Sequence, residues 1–222
     1  KQCKRDIFMA LVLTGFTSEI GKSILKKYIN DGHKVYCLGR KDESFSGDNI
    51  NINLKKYYHL DFNSNSFEND LENIFEELKE KKIEQIIHAA ADSGVRKTFQ
   101  KLNYHEIDKL IRINFLNSAW FMKKSCDLLA RKDESYNKSF IYISTQLAKH
   151  VGPGLSIYSS SKAAMNNLCR TLSHEYGPFR IRINIISPGK VAVNPYDKNV
   201  NIDRMNIPLA RLATPNDIVN VV

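Results

Sequence analysis

The chain has 222 residues, 42% of them hydrophobic and 26% charged, and a formal net charge of +9. This composition excludes an intrinsically disordered chain, a collagen and a coiled-coil rod, and the length suits one domain over residues 1–222. No apolar run approaches the roughly 18–20 residues that a membrane-spanning helix needs, so we expect a folded protein that does not span a membrane.

The four cysteines and the positive charge limit the kinds of site that this chain can carry. Cys3, Cys37, Cys126 and Cys169 are far apart and have no histidine at metal-ligand spacing, so we expect no metal site and reduced thiols in a cytoplasmic protein. The net charge favours anionic ligands. Because the lysines are mixed with acids, as in residues 76–82, a nucleic-acid partner is not expected.

Short apolar runs alternate with longer segments of helical period along the chain. The predicted strands are residues 8–13, 35–38, 57–60, 83–91, 140–143 and 181–186. The predicted helices include long ones over 104–130 and 156–176 and a last one that opens at 214–217. This alternation is typical of βα units, so we expect an α/β fold, a doubly wound parallel sheet with helices on both faces.

A glycine-containing loop, residues 14–21, lies between the first predicted strand and the first predicted helix. Gly15 permits a tight turn, and Gly21 would let the helix pack closely on the sheet. The free N–H groups of a helix N-terminus bind phosphate oxygens, and Thr17 and Ser18 add hydroxyls. The loop therefore predicts a dinucleotide site, although a strand, a glycine turn and a helix also occur without a ligand.

Tyr158 is the only tyrosine with a lysine, Lys162, four residues later. On a helix this spacing puts both side chains on one face. A phenol with a pKa of about 10 is a weak acid–base catalyst at neutral pH, and a neighbouring ammonium is expected to lower that pKa. Taken alone, the motif is better explained as an accidental pair on a solvated helix.

Three further features keep a fixed order around this pair. Thr145 lies thirteen residues before Tyr158, Asn114 lies inside the long predicted helix, and a Pro-Gly turn begins at Pro188, thirty residues after Tyr158. Together with the loop at 14–21, they resemble the short-chain dehydrogenase/reductases over nearly the whole chain. The resemblance implies a Rossmann-like fold and hydride transfer between a nicotinamide cofactor and a carbonyl or alcohol group.

The resemblance also implies a role for each matched residue. Thr145 would polarise the substrate carbonyl, Tyr158 would donate the proton, and Lys162 would lower the pKa of the tyrosine and hold the nicotinamide ribose. Asn114 would hold a water that links the lysine to solvent. Ser144 adjoins Thr145, but strand alternation points it to the other side of the sheet. The implied cofactor contacts are Gly15, Thr17, Ser18, Ile20, Gly21, Arg40, Asp61, Ala89, Ala90, Tyr158, Lys162, Pro188, Gly189 and Val191.

The end of the second strand has Arg40 where an acid would accept hydrogen bonds from the adenosine ribose of NAD. With Gly39 leaving room and a guanidinium able to hold a phosphate, this end favours NADP(H) over NAD(H), and a solvated basic turn is the alternative. Asp61 would contact the adenine, cap the following helix, or both. His88 stands where the family usually has asparagine, and we expect its role to be structural.

Three departures from the family pattern remain. Glu19 replaces the middle glycine of the loop, which reduces room and adds negative charge beside a pyrophosphate. Val193 replaces a threonine that often binds the carboxamide of the nicotinamide. The family continues into a seventh strand with a glycine-rich turn, which we expect to be absent from this chain.

These observations predict an NADPH-dependent enzyme that reduces a carbonyl to an alcohol, or the reverse, and most resembles 3-oxoacyl-[acyl-carrier-protein] reductases. The expected substrate is a 3-oxoacyl thioester or similar ketone, free or carried on an acidic carrier protein or a nucleotide. We expect a homodimer or homotetramer. One alternative is a nucleotide-sugar dehydrogenase or epimerase, against which Ser18 and the chain length argue. The other is a non-catalytic NADP-binding sensor, which would not need Tyr158, Lys162 and Asn114.

Overall fold

A computed structural model describes residues 9–40, 54–130, 138–193 and 207–222, and these ranges contain six strands and six α-helices. The strands are β1 (Ala10–Thr14), β2 (Lys34–Gly39), β3 (Leu54–His59), β4 (Ile83–His88), β5 (Ser139–Ile143) and β6 (Arg182–Ile186). The helices are α1 (Glu19–Asn30), α2 (Phe67–Leu78), α3 (Tyr104–Ile111), α4 (Asn117–Leu129), α5 (Ser156–Glu175) and α6 (Pro215–Val219). Within the described ranges, no helix has the length and apolar character needed to cross a membrane.

The six described strands run parallel in one sheet, in the order β3-β2-β1-β4-β5-β6. The first strand lies in the middle, and Thr14 at its end pairs with Leu38 of β2 on one side and with His88 of β4 on the other. Because β2 and β4 lie on opposite sides of β1, the connections after β1 and after β3 leave in opposite directions and open a crevice at the carboxyl ends of the strands. The predicted doubly wound α/β fold is confirmed.

Helices cover both faces of the sheet because successive side chains of a buried strand point to opposite faces. On β1, Leu11 and Leu13 belong to the apolar cluster that includes residues of α1 and α6. Val12 belongs to the cluster on the other face, which includes residues of α2, α4 and α5. With both faces buried, the polar groups of a site are left to the strand ends and the loops that follow them.

The third strand begins earlier than its apolar pattern predicts. Its backbone pairs with β2 from Leu54 onward, three residues before the predicted start at 57. Lys55 and Lys56 occupy the added positions and are exposed. An edge strand tolerates such lysines because one of its sides faces solvent. The hydrophobic pattern of the sequence therefore underestimates the length of this strand.

The long helix predicted over 104–130 is interrupted by a π-helical turn, Arg112–Leu116, between α3 and α4. In this turn the N–H of Asn117 bonds to the carbonyl of Arg112, five residues earlier. Turns of this kind add one residue to a helix and often occur at functional sites. The predicted catalytic Asn114 lies within it.

The three cysteines that the structure describes are buried free thiols, Cys37, Cys126 and Cys169. Burial raises the pKa of each one, to about 12 for Cys126 and Cys169. Protonated, enclosed thiols of this kind are unreactive and contribute to packing. Two residues of the sequence predictions, Cys3 and Phe8, lie outside the described residues.

Candidate active site

A cleft of about 290 Å³ opens at the carboxyl ends of the central strands. Its walls come from the turn after β1, the end of β2 and the segments that follow β3 and β4. Seven predicted cofactor-binding residues line it: Gly15, Thr17, Ser18, Arg40, Asp61, Ala89 and Ala90. Ile20, Gly21 and the residues after β6 do not line this cleft.

The two glycines of the loop are both required by close backbone contacts. Gly15 has φ +70°, and a Cβ built on it would lie 2.5 Å from the carbonyl carbon of Ala89 and from the nitrogen of Ala90. A Cβ on Gly21 would lie 2.1 Å from the carbonyl oxygen of Gly15. The turn after β1 is thus pressed against the turn after β4, and α1 is pressed against the turn after β1, because neither glycine has a side chain. Ile20, between these contacts, packs partly against the apolar core.

Ser18 caps α1 rather than presenting a free hydroxyl to a ligand. Its oxygen accepts a hydrogen bond from the N–H of Gly21 at 3.1 Å and donates one to the carbonyl of Gly15 at 2.9 Å. The hydroxyl proton is therefore already used, because the first turn of a helix needs an acceptor for its N–H groups. Of the two predicted hydroxyls, that of Thr17 is better suited to meet a phosphate.

The acidic residue in the loop is directed away from the cleft. Glu19 is exposed and forms an ion pair with Lys22 at 3.2 Å, one turn further along α1. It does not line the cleft. The crowding and negative charge that the sequence led us to expect at the pyrophosphate position are therefore reduced in the folded chain.

The mouth of the cleft holds two cations and one acid. Arg40 is exposed at the end of β2, and Lys109 of α3 pairs with Asp92 at 2.8 Å. Burial favours a higher pKa for Asp92, but hydrogen bonds from Lys109 and the N–H of Gly94, with the charge of Arg40, lower it below its usual value. The two cations and one acid give the mouth of the cleft a net positive charge, which suits an anionic ligand.

Two expectations for this end of the cleft need correction. The room beside Gly39 is filled by an aromatic ring, because Cε1 of Phe16 lies 3.0 Å from where a Cβ on Gly39 would be. Asp61 does not cap the helix that follows, since its carboxylate accepts the N–H of Asn63 at 2.9 Å and α2 begins after Ser66. Asp61 is held in its own turn and still lines the cleft.

The predicted Tyr158 and Lys162 lie one turn apart on α5. Lys162 is only 2% exposed, and its Nζ donates to the carbonyl of Ile143 at 2.9 Å, at the end of β5. Nζ also lies 4.5 Å from the ring centre of Tyr142. Burial lowers the pKa of Lys162 to about 7 because desolvation disfavours the charged form.

Thr145 rather than Ser144 meets the tyrosine. Burial raises the pKa of Tyr158, and a side-chain hydrogen bond with Thr145 offsets part of that rise. Ser144 is on the other side of the backbone, where its hydroxyl is buried without a hydrogen-bond partner. The pKa lowering expected from Lys162 is not found, because the lysine is directed to the carbonyl of Ile143.

The π-helical turn directs Asn114 toward the segment after β4. Its Oδ1 accepts the N–H of Asp92 at 2.9 Å, and its Nδ2 donates to the carbonyl of the same residue at 2.7 Å. Helix α5 packs against this turn. Asn114 therefore ties the wall of the cleft to the helix that carries Tyr158 and Lys162.

The segment after β6 runs beside Thr145. The carbonyl of Pro188 accepts the N–H of Gln146 at 2.8 Å, and Gly189 faces the same glutamine side chain. Val191 pairs with Ala213 in an isolated parallel bridge and packs partly against the apolar core. Pro188 and Gly189 thus lie next to the catalytic candidates, outside the cleft itself.

The sequence reasoning missed about half of the cleft lining. The missed residues are Phe16, Leu60, Phe62, Asn63, Ala91, Asp92, Lys109 and Ile113. Leu60, Phe62 and Ala91 adjoin predicted residues, so a wider window around each strand end would have found them. Lys109 and Ile113 lie one turn apart on the segment before Asn114, and no local motif marks them.

Comparison with known proteins decides the family. The profile of the short chain dehydrogenase family matches residues 9–204. The chain belongs to the short-chain dehydrogenase/reductase family. It is 25% identical to oxidoreductase asL5 of Sarocladium schorii over 213 residues, which are 93% of this chain and 84% of that protein. This short-chain dehydrogenase/reductase is therefore an oxidoreductase of CH–OH and C=O groups.

Solved structures share the fold of this short-chain dehydrogenase/reductase. The 3-ketoacyl-(acyl-carrier-protein) reductase from Brucella melitensis, complexed with NADH, matches 96% of this chain and 88% of its own with a TM-score of 0.82 and 18% identity. ElxO with NADPH bound matches 97% of this chain and 90% of its own, with a TM-score of 0.81 and 18% identity. At this identity the likeness establishes the architecture alone.

Proposed function

We propose that this enzyme reduces a carbonyl to an alcohol with NADPH, using Tyr158, Lys162, Thr145 and Asn114. The observation that carries the proposal is that the Thr145 side chain interacts with Tyr158, one turn of α5 from the buried Lys162. A phenol, a donor hydroxyl and an ammonium at the end of one strand are the groups that carbonyl reduction requires. Burial raises the pKa of Tyr158, so the phenol keeps its proton at neutral pH and can donate it to a carbonyl oxygen.

The cleft fits a dinucleotide, since Gly15 has no side chain where the turn after β1 meets that after β4. The N-terminus of α1 would face the pyrophosphate, because the N–H groups there attract anions. The residues that would hold the cofactor are Gly15, Thr17, Ser18, Ile20, Gly21, Arg40, Asp61, Ala89, Ala90, Tyr158, Lys162, Pro188, Gly189 and Val191. In Ser18 the backbone rather than the hydroxyl is the candidate contact.

When bound, NADPH supplies the hydride for the carbonyl carbon. Thr145 donates a hydrogen bond to the carbonyl oxygen and stabilises the negative charge that develops on it. Tyr158 then transfers its phenolic proton to that oxygen. Lys162 has donors to spare beyond its bond to Ile143, and these would reach the nicotinamide ribose. Asn114 keeps the segment after β4 in place beside them.

The preference for NADPH over NADH rests on the charge at the cleft mouth. Lys109 pairs with Asp92, which leaves Arg40 as the cation at the end of β2. A guanidinium holds a phosphate through two parallel hydrogen bonds, so the 2′-phosphate of NADP suits this position. The solved relatives include one with NADH and one with NADPH, which makes the preference a property to be measured for this chain.

A 3-oxoacyl thioester is the substrate that we favour. One structural neighbour is a 3-ketoacyl-(acyl-carrier-protein) reductase, and the net charge of +9 suits an acidic carrier protein. The test is a screen of NADPH oxidation over β-keto thioesters, sugar nucleotides, quinones and small ketones, with dinucleotide binding measured separately by titration. Turnover of a β-keto thioester supports the proposal. Absence of dinucleotide binding would overturn it.

We also propose that residues 1–222 form one domain and that the enzyme is a cytoplasmic homodimer or homotetramer. The support is the family likeness, because a reductase structure of the same fold matches 96% of this chain and 88% of its own. Light scattering of the purified protein gives the mass of the particle. A monomer at micromolar concentration would overturn the assembly proposal.

A further inference from the structure

His88 ends β4 in the centre of the molecule and takes no part in the proposed chemistry. Its side chain is completely buried. Three aromatic rings enclose the imidazole: those of Phe62 and Tyr142 stack on it with centres 5.3 Å and 5.7 Å away, and that of Phe121 lies at 5.0 Å. A polar ring in such surroundings is stable only if both of its nitrogens are hydrogen-bonded.

Both ring nitrogens do have a hydroxyl partner. Nδ1 lies 2.7 Å from the Thr14 hydroxyl, and Nε2 lies 2.9 Å from the Ser118 hydroxyl. The Ser118 hydroxyl also donates to the carbonyl of Ile113 at 2.8 Å. Because a hydroxyl has only one proton, Ser118 must accept from an Nε2–H group of the imidazole. The neighbouring contacts thus select one tautomer, with Nδ1 accepting from Thr14.

On the Nδ1 side the network reaches the wall of the cleft. The Thr14 oxygen accepts the N–H groups of Ala89 and Ala90, each at 3.2 Å, while its own proton goes to His88. Ala89 and Ala90 line the cleft. The orientation of the turn after β4 therefore depends on the Thr14 hydroxyl, because its proton is given to His88 and its oxygen is left to accept the two N–H groups.

On the Nε2 side the network reaches the π-helical turn. Ile113, whose carbonyl accepts the Ser118 proton, immediately precedes Asn114. Serine hydroxyls in helices bond back to backbone carbonyls about one turn earlier, and here Ser118 supplies this donor to the π-helical turn. Asn114 in turn bonds twice to the backbone of Asp92. His88 is thus connected to the segment after β4 a second time, through Ser118 and the π-helical turn.

The imidazole also stays uncharged. Burial, with a smaller effect from the nearby Lys162, lowers the pKa of His88 to about 3. At neutral pH the ring therefore keeps one donor and one acceptor, which is what the two hydroxyls require. An asparagine at this position could not reach both hydroxyls, because its amide is shorter than an imidazole.

We propose that His88 is a positioning residue whose Nε2-protonated ring couples the turn after β4, at the cofactor cleft, to the π-helical turn that carries Asn114. Its effect on cofactor affinity rests on the proposed function, whereas the tautomer and the coupling of the two turns do not.

The tautomer is tested by nitrogen NMR of the intact protein labelled on histidine. We expect the imidazole signals that disappear in His88→Asn to show, at neutral pH, a proton on Nε2 and an unprotonated Nδ1. A proton on Nδ1, or on both nitrogens, would contradict the hydrogen-bond assignment. This measurement requires neither a cofactor nor a substrate.

The coupling is tested by a double-mutant cycle on dinucleotide affinity. Ser118→Ala removes the partner of Nε2 at a residue that does not line the cleft, and it should raise the Kd for NADPH about three- to tenfold, the scale of one buried hydrogen bond. In the His88→Asn background the same change should raise Kd by less than about twofold. Equal effects in both backgrounds would overturn the proposal.

Ser125→Ala is the matched control, because Ser125 is another buried serine of α4 and its hydroxyl has no hydrogen-bond partner. It should leave NADPH affinity unchanged in both backgrounds. If His88→Asn does not fold, Thr14→Ser and Thr14→Val replace it, since serine keeps the Nδ1 partner and valine removes it. A wild-type protein that binds no dinucleotide would reject the proposed function, and the NMR result would still decide the tautomer.

Discussion

The two ends of this active site are held by different means. We define the catalytic end as Asn114, Thr145, Tyr158 and Lys162. Asn114 and Lys162 are buried and bonded to backbone groups, and the half-buried Thr145 and Tyr158 interact with each other. At the adenosine end, defined as the turn after β1 with Arg40 and Asp61, backbone shape dominates and Arg40 is exposed.

The difference between the two ends separates residues that affect turnover from residues that affect cofactor affinity. A buried group that is hydrogen-bonded on several sides keeps its position without a ligand, so its loss should reduce turnover. An exposed cation gains a partner only when a ligand arrives, so its loss should reduce affinity alone. A substitution at the catalytic end should therefore change turnover, and one at the adenosine end should change cofactor affinity.

The largest effect is expected from Tyr158→Phe, which removes the proton donor and leaves the ring. Turnover should fall by at least about a hundredfold, the scale of general acid catalysis, while NADPH affinity stays near that of the wild type. Steady-state rates and a binding titration measure the two quantities. Tyr104→Phe is the control, because Tyr104 is 81% exposed and is not one of the catalytic candidates. Near-normal turnover in Tyr158→Phe would contradict the reductase mechanism in which Tyr158 donates the proton.

Thr145→Val keeps the side-chain shape and deletes the hydroxyl that meets Tyr158. Turnover should fall by about 10²-fold, as when one oxyanion donor is lost. Thr145→Ser should remain active, and Ser144→Ala should change turnover little because its hydroxyl has no partner. The same steady-state assay compares all three variants. A larger loss in Ser144→Ala than in Thr145→Val would reverse the assignment.

Arg40→Ala acts at the adenosine end and should change affinity rather than turnover. We expect a loss of about 1.5–3 kcal/mol in NADPH binding, the scale of a charge-assisted hydrogen bond, with NADH binding almost unchanged. Titration with both cofactors measures it. Lys22→Ala removes another exposed cation near the loop and should affect neither cofactor. Equal losses for NADPH and NADH in Arg40→Ala would show that the guanidinium contacts something other than the 2′-phosphate.

Ser18→Ala is expected to have the smallest effect, on stability rather than catalysis. Because Ser18 caps α1, its loss should lower the free energy of unfolding by about 1 kcal/mol, measured by urea titration. NADPH affinity should change less than twofold once folded protein is compared. A large affinity loss with unchanged stability would mean that the hydroxyl leaves its cap to bind phosphate.

Local sequence signals predicted the helix ends and most strands correctly, because these depend on residues close in the chain. Thr214 and Asp217 form a capping box at the predicted start of α6. Gly32 takes the left-handed conformation that ends α1, with φ +85°. The π-helical turn was missed, since a single added residue hardly disturbs the apolar period of a long helix.

By itself, the sequence determined the family, the order of strands and helices, and the candidates Asn114, Thr145, Tyr158 and Lys162, because these follow from spacing along the chain. Only the tertiary structure decided what each candidate contacts. Lys162 donates a hydrogen bond to the carbonyl of Ile143. His88 bonds to the hydroxyls of Thr14 and Ser118, which lie 74 and 30 residues away in the chain. Burial and contacts between distant segments set these partners and the pKa values, and neither quantity is a property of local sequence.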